Sequence, residues 1–170
     1  MKKSEQVAFE LLLKKNNKFI VSYPYLFSKT LNRAKKIISS GKVGKINYIE
    51  INFQQCGRFM KYGVNHLLGT HALSILSLFF NIRSMNFEKK NIIKNQNKVE
   101  TSVISCFKKS KIICNINLSI NYASDKSKKE IKLFCEKGTI MCDLNSRVKN
   151  LIAYKYYKKK FKDYKIAKVI

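Results

Sequence analysis

A chain of 170 residues with 45% apolar side chains is sized for one domain with one sizeable core. Its formal charge is +25, from 35 Lys and Arg against 10 Asp and Glu. No apolar run reaches the roughly 20 residues of a membrane-spanning helix, which excludes an integral helical membrane protein and leaves a soluble, cytoplasmic one as the expectation.

The charge raises two readings. One is a basic binding module for nucleic acid or another anionic partner. The other is codon bias, because 31 of the cations are Lys and only 4 are Arg, with 20 Ile, 16 Asn and 1 Pro. A dedicated phosphate reader favours Arg, whose planar fork matches phosphate and guanine edges. Here Lys is spread along the whole chain, so the compositional reading is preferred and a nucleic-acid partner is not expected. The cysteines (Cys56, Cys106, Cys114, Cys135 and Cys142) are odd in number and form no CxxC pair. They read as reduced thiols, and no metal site is expected.

In chain order, residues 4–16 predict a helix, with Ser4 as N-cap and Val7, Ala8, Leu11 and Leu12 at helical spacing. The start has a basic pair but no small-residue cleavage site, so no secretory leader is read. Lys18–Tyr23 predicts a short buried strand that Pro24 ends. Ser28–Ser40 predicts an amphipathic helix, closed by Gly41 and followed by Gly44. Ile46–Gln54 alternates: Ile49, Ile51 and Phe53 point one way, Tyr48, Glu50, Asn52 and Gln54 the other. The loop 54–65 carries Gly57, Arg58 and Gly63. His66–Phe80 predicts a buried helix, apolar nearly all round. Strands are predicted at Met85–Glu88, Val99–Phe107, Lys111–Ile120, Glu130–Cys135, Thr139–Asp143 and Leu151–Tyr157. The turn at Lys108–Ser110 suits an antiparallel hairpin. The Lys/Tyr-rich end after Tyr154 gives weak signals. The fold class is α+β: an open, mostly antiparallel sheet with helices on one face.

Three motifs, in order, are similar to a known family. They are KFIVSYPYLFSKTLNRAKKIISSGKVGKINYIEI, LLGTHALSIL and IKLFCEKGTIMCDL. Over roughly residues 4–144 the chain resembles the glucose–fructose oxidoreductase / inositol dehydrogenase (Gfo/Idh/MocA) family. The first motif resembles the passage out of that family's dinucleotide domain, the second its D-x-G-x-H helix, the third its late strand–Gly–Thr–strand element. The resemblance implies NAD- or NADP-dependent hydride transfer on a sugar, sugar nucleotide or cyclitol. It also implies a Rossmann domain ahead of this domain. Residues 1–24 then read as the remnant of that domain and 25–170 as the C-terminal domain.

The resemblance also shows what is missing. The glycines at 41, 44, 57, 63, 69 and 138 never make a G-x-G-x-x-G, so no cofactor site is expected in this chain. There is no Glu-Lys-Pro turn, and Pro24 follows Tyr23. The Asp of D-x-G-x-H falls on Leu67, and an Arg common in the family falls on Leu26. What carries over is His71 as an orphaned catalytic group, with Gly69, Thr70, Ser74 and Tyr23 on the substrate side. His66 receives no role. The expectation is a fragment or partner subunit, inactive alone. It would pair as a homodimer through the open sheet face, or with a missing Rossmann half.

Overall fold

The computed structural model describes residues 10, 22–56, 62–146, 150–158 and 164–169, with side chains as far as Tyr156. The expected helix 4–16, most of the strand at Lys18–Tyr23, and Gly57 and Arg58 lie outside these residues, as does most of the segment read as a Rossmann remnant.

A 3₁₀ turn, Pro24–Phe27, leads into helix α1 (Lys29–Ser39). The Ser28 hydroxyl accepts a hydrogen bond from Leu31 N at 3.4 Å, capping one of the helix's free amides. Leu31 and Ala34 are fully buried, while Lys29, Arg33, Lys35 and Lys36 face out. A second unit combines a π-helical turn, Asn65–Gly69, with helix α2 (Thr70–Ser77). A short 3₁₀ turn follows at Ile82–Ser84.

The strands are β1 (Ile46–Gln54), β2 (Asn86–Lys94), β3 (Glu100–Lys109) and β4 (Ile112–Ser119), then β5 (Lys128–Cys135), β6 (Gly138–Asp143), β7 (Leu151–Lys158) and β8 (Tyr164–Val169). They form one sheet in the order β2-β3-β4-β1-β5-β6-β7-β8. Only the β1–β4 pairing is parallel among the described residues. The α+β sheet expected from periodicity is therefore present. Its helix-covered face is built from Ile49, Ile51 and Phe53, flanked in register by Cys114, Ile116 and Leu118 and by Leu133 and Ile131. All are buried.

Three expectations are corrected. The His66–Phe80 helix is not buried all round. It packs one side on the sheet, and no further layer among the described residues covers the other, so Leu73 stays 37% exposed. The strand foreseen at Met85–Glu88 is β2, which runs on to Lys94; every one of its side chains is exposed, and a register shift between Phe87 and Lys89 breaks its alternation. The weak C-terminal end supplies β8, which pairs with β7 through Tyr156↔Ile166 and Lys158↔Tyr164. No helix among the described residues is long and apolar enough to cross a membrane.

Two glycines of the sequence motifs stand at the β5–β6 turn. Gly44, at φ +76°, sits under the β5–β6 turn. There Lys45 N donates to the Glu136 carboxylate at 3.1 Å and Lys137 N to Val43 O at 2.8 Å. A Cβ on Gly44 would lie 2.8 Å from that carboxylate. Gly138 is tighter: a Cβ there would lie 2.1 Å from the Tyr154 carbonyl oxygen, which belongs to the backbone of β7. Gly41 is different, at φ +72° with open space around it. Gly138→Ala should thus cost about 3 kcal/mol, the upper part of the overpacking range. Gly41→Ala should cost about 1 kcal/mol, from left-handed backbone strain alone. Urea unfolding of the two variants checks the difference. Equal costs would mean that β7 yields freely.

Candidate functional site

The π-helical turn opens with His66 N and Leu67 N both donating to Gly63 O, at 2.9 and 3.2 Å. Such turns widen a helix by one residue and re-aim the side chains that follow. The helix lies close on β4: a Cβ at Gly69 would be 3.7 Å from Leu118 Cδ1.

His71 sits one residue into α2 and faces the 3₁₀ turn Pro24–Phe27. Its ring meets the edge of Tyr25 at 5.4 Å and 81°, and Tyr25 in turn packs on Phe53 of β1 at 5.2 Å. His71 Nδ1 is enclosed and has no hydrogen-bond partner among the described residues. Burial pushes the His71 pKa down from 6.5, and the positive charge of Lys129 adds to this. Burial also pushes the Tyr25 hydroxyl up from 10.0. At neutral pH the imidazole is therefore uncharged, with one nitrogen able to donate and the other to accept. That chemistry suits a hydroxyl whose proton is to be held or moved.

The other expected site residues do not all gather round His71. The Ser74 hydroxyl donates to the His71 carbonyl at 2.7 Å and is buried, so it is occupied by its own helix. Tyr23 precedes the 3₁₀ turn, where its carbonyl accepts from Leu26 N at 3.0 Å. Gly69 and Thr70 open onto a cavity of about 260 Å³ between α2 and strands β2, β3 and β4, and His71 is not among its walls. Leu67, where the family pattern has Asp, is partly buried against the core.

Two residues around His71 escaped the sequence reading. Tyr25 lies two positions beyond Tyr23 in an aromatic-rich run, and nothing in the pattern separates them. Lys129 is one lysine among 31. It reaches the site because it stands opposite Phe53 in the β1–β5 register. The cysteines are not part of the site. Cys114 and Cys142 are buried and their thiols pushed up to about 12, with Cys135 at about 11, so they stay protonated and inert near neutral pH.

The electrostatics of His71 can be checked directly. Its NMR titration midpoint should fall below 6.5, and Lys129→Ala should raise it part of the way back, since burial remains the larger cause. A group whose folded pKa lies below its unfolded one binds fewer protons when folded. Its contribution to stability is therefore present above pH 6.5 and lost as pH falls below it. A midpoint at or above 6.5 would contradict this account.

No protein-family model matches the chain, and no curated protein sequence matches it. Solved structures do. KijD10, a 3-ketoreductase from Actinomadura kijaniata in complex with TDP-benzene and NADP, aligns with a TM-score of 0.74 at 8% identity. The alignment covers 96% of this chain and 52% of KijD10. An inositol dehydrogenase homologue from Azotobacter vinelandii complexed with NAD+ aligns with a TM-score of 0.68 at 12% identity, over 95% of this chain and 46% of that one. The WlbA dehydrogenase from Bordetella pertussis, in complex with NADH and UDP-GlcNAcA, gives 0.62 at 16% identity, over 74% and 44%. The chain thus spans about half the length of the structures it matches, in keeping with a single C-terminal domain of such enzymes. Over that half, this chain has the fold of the Gfo/Idh/MocA-type oxidoreductases.

Proposed function

We propose that this chain is the substrate-side domain of an NAD(P)-dependent oxidoreductase acting on a sugar, sugar nucleotide or cyclitol, with the dinucleotide held outside residues 25–170. The observation that carries the reading is His71. It stands as a neutral imidazole with an unpartnered Nδ1, on the helix that the sequence resemblance selects, within a fold shared with dehydrogenases and ketoreductases. In this reading His71 holds or relays the proton of the substrate hydroxyl, and Tyr25 and Phe53 fix its ring. Leu67 can supply neither a proton nor an orienting hydrogen bond, so the second acid–base group comes from the part that carries the cofactor.

Pyrophosphate binding needs a Gly-rich turn at a helix N-terminus, and the six glycines of the chain never take that spacing. The purified chain titrated with NADH should give no saturable fluorescence change up to about 1 mM. A micromolar dissociation constant would overturn the division of labour.

The reading includes self-association through the uncovered sheet face. That face carries Ile93, Ile104, Ile113 and Met141, each between 38% and 63% exposed. It also carries Glu50 and Lys132, 3.8 Å apart, with Glu130 and Asp143 opposite each other in register. Lys128, 3.3 Å from Glu130, and Lys108, opposite Ile113, bring the charge there close to balance, unlike the chain as a whole. Sedimentation should show dimers that tighten as salt screens the net charge of +25. A monomer at every concentration and salt level would refute this part.

A further inference from the structure

Helix α2 is too narrow to cover the sheet out to β2. Beyond its edge the helix-side face continues uncovered among the described residues, with Phe87 54% exposed on the sheet and Leu73 37% exposed on the helix. The cavity of about 260 Å³ lies beneath this edge. Its walls are mostly apolar: Leu73 from the helix, Phe87 and Phe107 from β2 and β3, and Ile116 and Leu118 from β4. Phe87 and Phe107 form an edge-to-face pair, with centroids 5.4 Å apart at 68°. That geometry extends naturally to a third ring. An apolar cavity of about 150 Å³ is enough to hold benzene, so this one has room for a substituted single ring.

Four polar side chains interrupt the apolar wall, Asn65, Thr70, Lys90 and Ser105, and of these Ser105 alone is buried. Ser105 is only 7% exposed, lines the cavity, and has no hydrogen-bond partner among the described residues. The other buried hydroxyls of the sheet are satisfied: Thr101 donates to Ile93 O at 3.2 Å, and Ser119 shares a bond with Ser102 at 2.8 Å. The Ser105 oxygen is open to the cavity, so a ligand that hydrogen-bonds to it takes the place of solvent water there. The cation at the cavity does not ask for an anion, because Lys90 Nζ is held by Glu100 at 3.3 Å.

From these features we infer that the cavity between α2 and strands β2–β4 binds a neutral, single-ring aromatic molecule bearing a hydroxyl or N–H group, which hydrogen-bonds to Ser105. The inference does not rest on the oxidoreductase reading, since His71 and Tyr25 take no part.

The test uses the full chain with two probes, 4-methylphenol and toluene, followed by chemical shifts of the backbone amides. The phenol should bind saturably at about 1 mM or tighter, with shifts at Ser105, Phe107 and Thr70. Ser105→Ala should weaken the phenol about 5-fold, the worth of one hydrogen bond, and leave toluene unchanged within about 2-fold. Ser105→Leu should block both probes. If that bulkier variant does not fold, the phenol–toluene contrast in Ser105→Ala decides alone. Absence of saturable binding at about 10 mM, shifts centred elsewhere, or equal weakening of both probes in Ser105→Ala would overturn the assignment.

Discussion

Everything in this molecule is referred to β1. It is hydrogen-bonded along both edges, parallel to β4 and antiparallel to β5, so its register fixes theirs. A slip of one residue would turn Ile49, Ile51 and Phe53 away from the helices and put Glu50 and Asn52 in their place. The site inherits this rigidity by direct contact. Phe53 supports Tyr25, Tyr25 meets His71, and Lys129 stands beside Phe53 in register. The imidazole is thus positioned by the sheet as much as by its own helix.

Helix α2 divides two environments. On one flank is a neutral imidazole among aromatic rings and a lysine. On the other is an apolar hollow with one buried hydroxyl. The π-helical turn that begins this unit brings Gly69 and Thr70 to the hollow and His71 to the opposite side. Residues adjacent in the sequence therefore serve different surfaces. A motif match such as G-T-H is not in itself a statement that its members share a site.

The legible parts of the fold were those with clean periodicity. β1, β4, β5, β6 and α1 each carry an apolar stripe of the right spacing, and the structure places them within a residue or two of the expected bounds. β2 was cut short in the reading because a bulge breaks its alternation and every side chain is in solvent, so burial left no imprint on the sequence. β8 was missed because lysines interrupt its apolar residues, and its pairing with β7 is a tertiary fact. The helix at His66–Phe80 was misjudged because an apolar residue such as Leu73 says nothing about whether a second layer exists to cover it. For the candidate site, the motif singles out His71 in the sequence. Tyr25 and Lys129 are not singled out, since they reach it through strand register and a turn. The cavity at Ser105 was invisible, because it arises where a helix ends short of a sheet edge.

The position of β1 in the sheet also shapes how the chain emerges from the ribosome. β1 is made early, yet both its neighbours come late: Tyr48 pairs with Ile113 and with Phe134. At about 5–20 residues per second, the strand waits several seconds before either edge can be filled. During that wait a run holding Ile49, Ile51 and Phe53 has its backbone unpaired, the state most open to adhesion with another nascent copy. Lys42 and Lys45 stand just ahead of β1, the flanking position at which charge disfavours adhesion of an unpaired apolar strand to another copy.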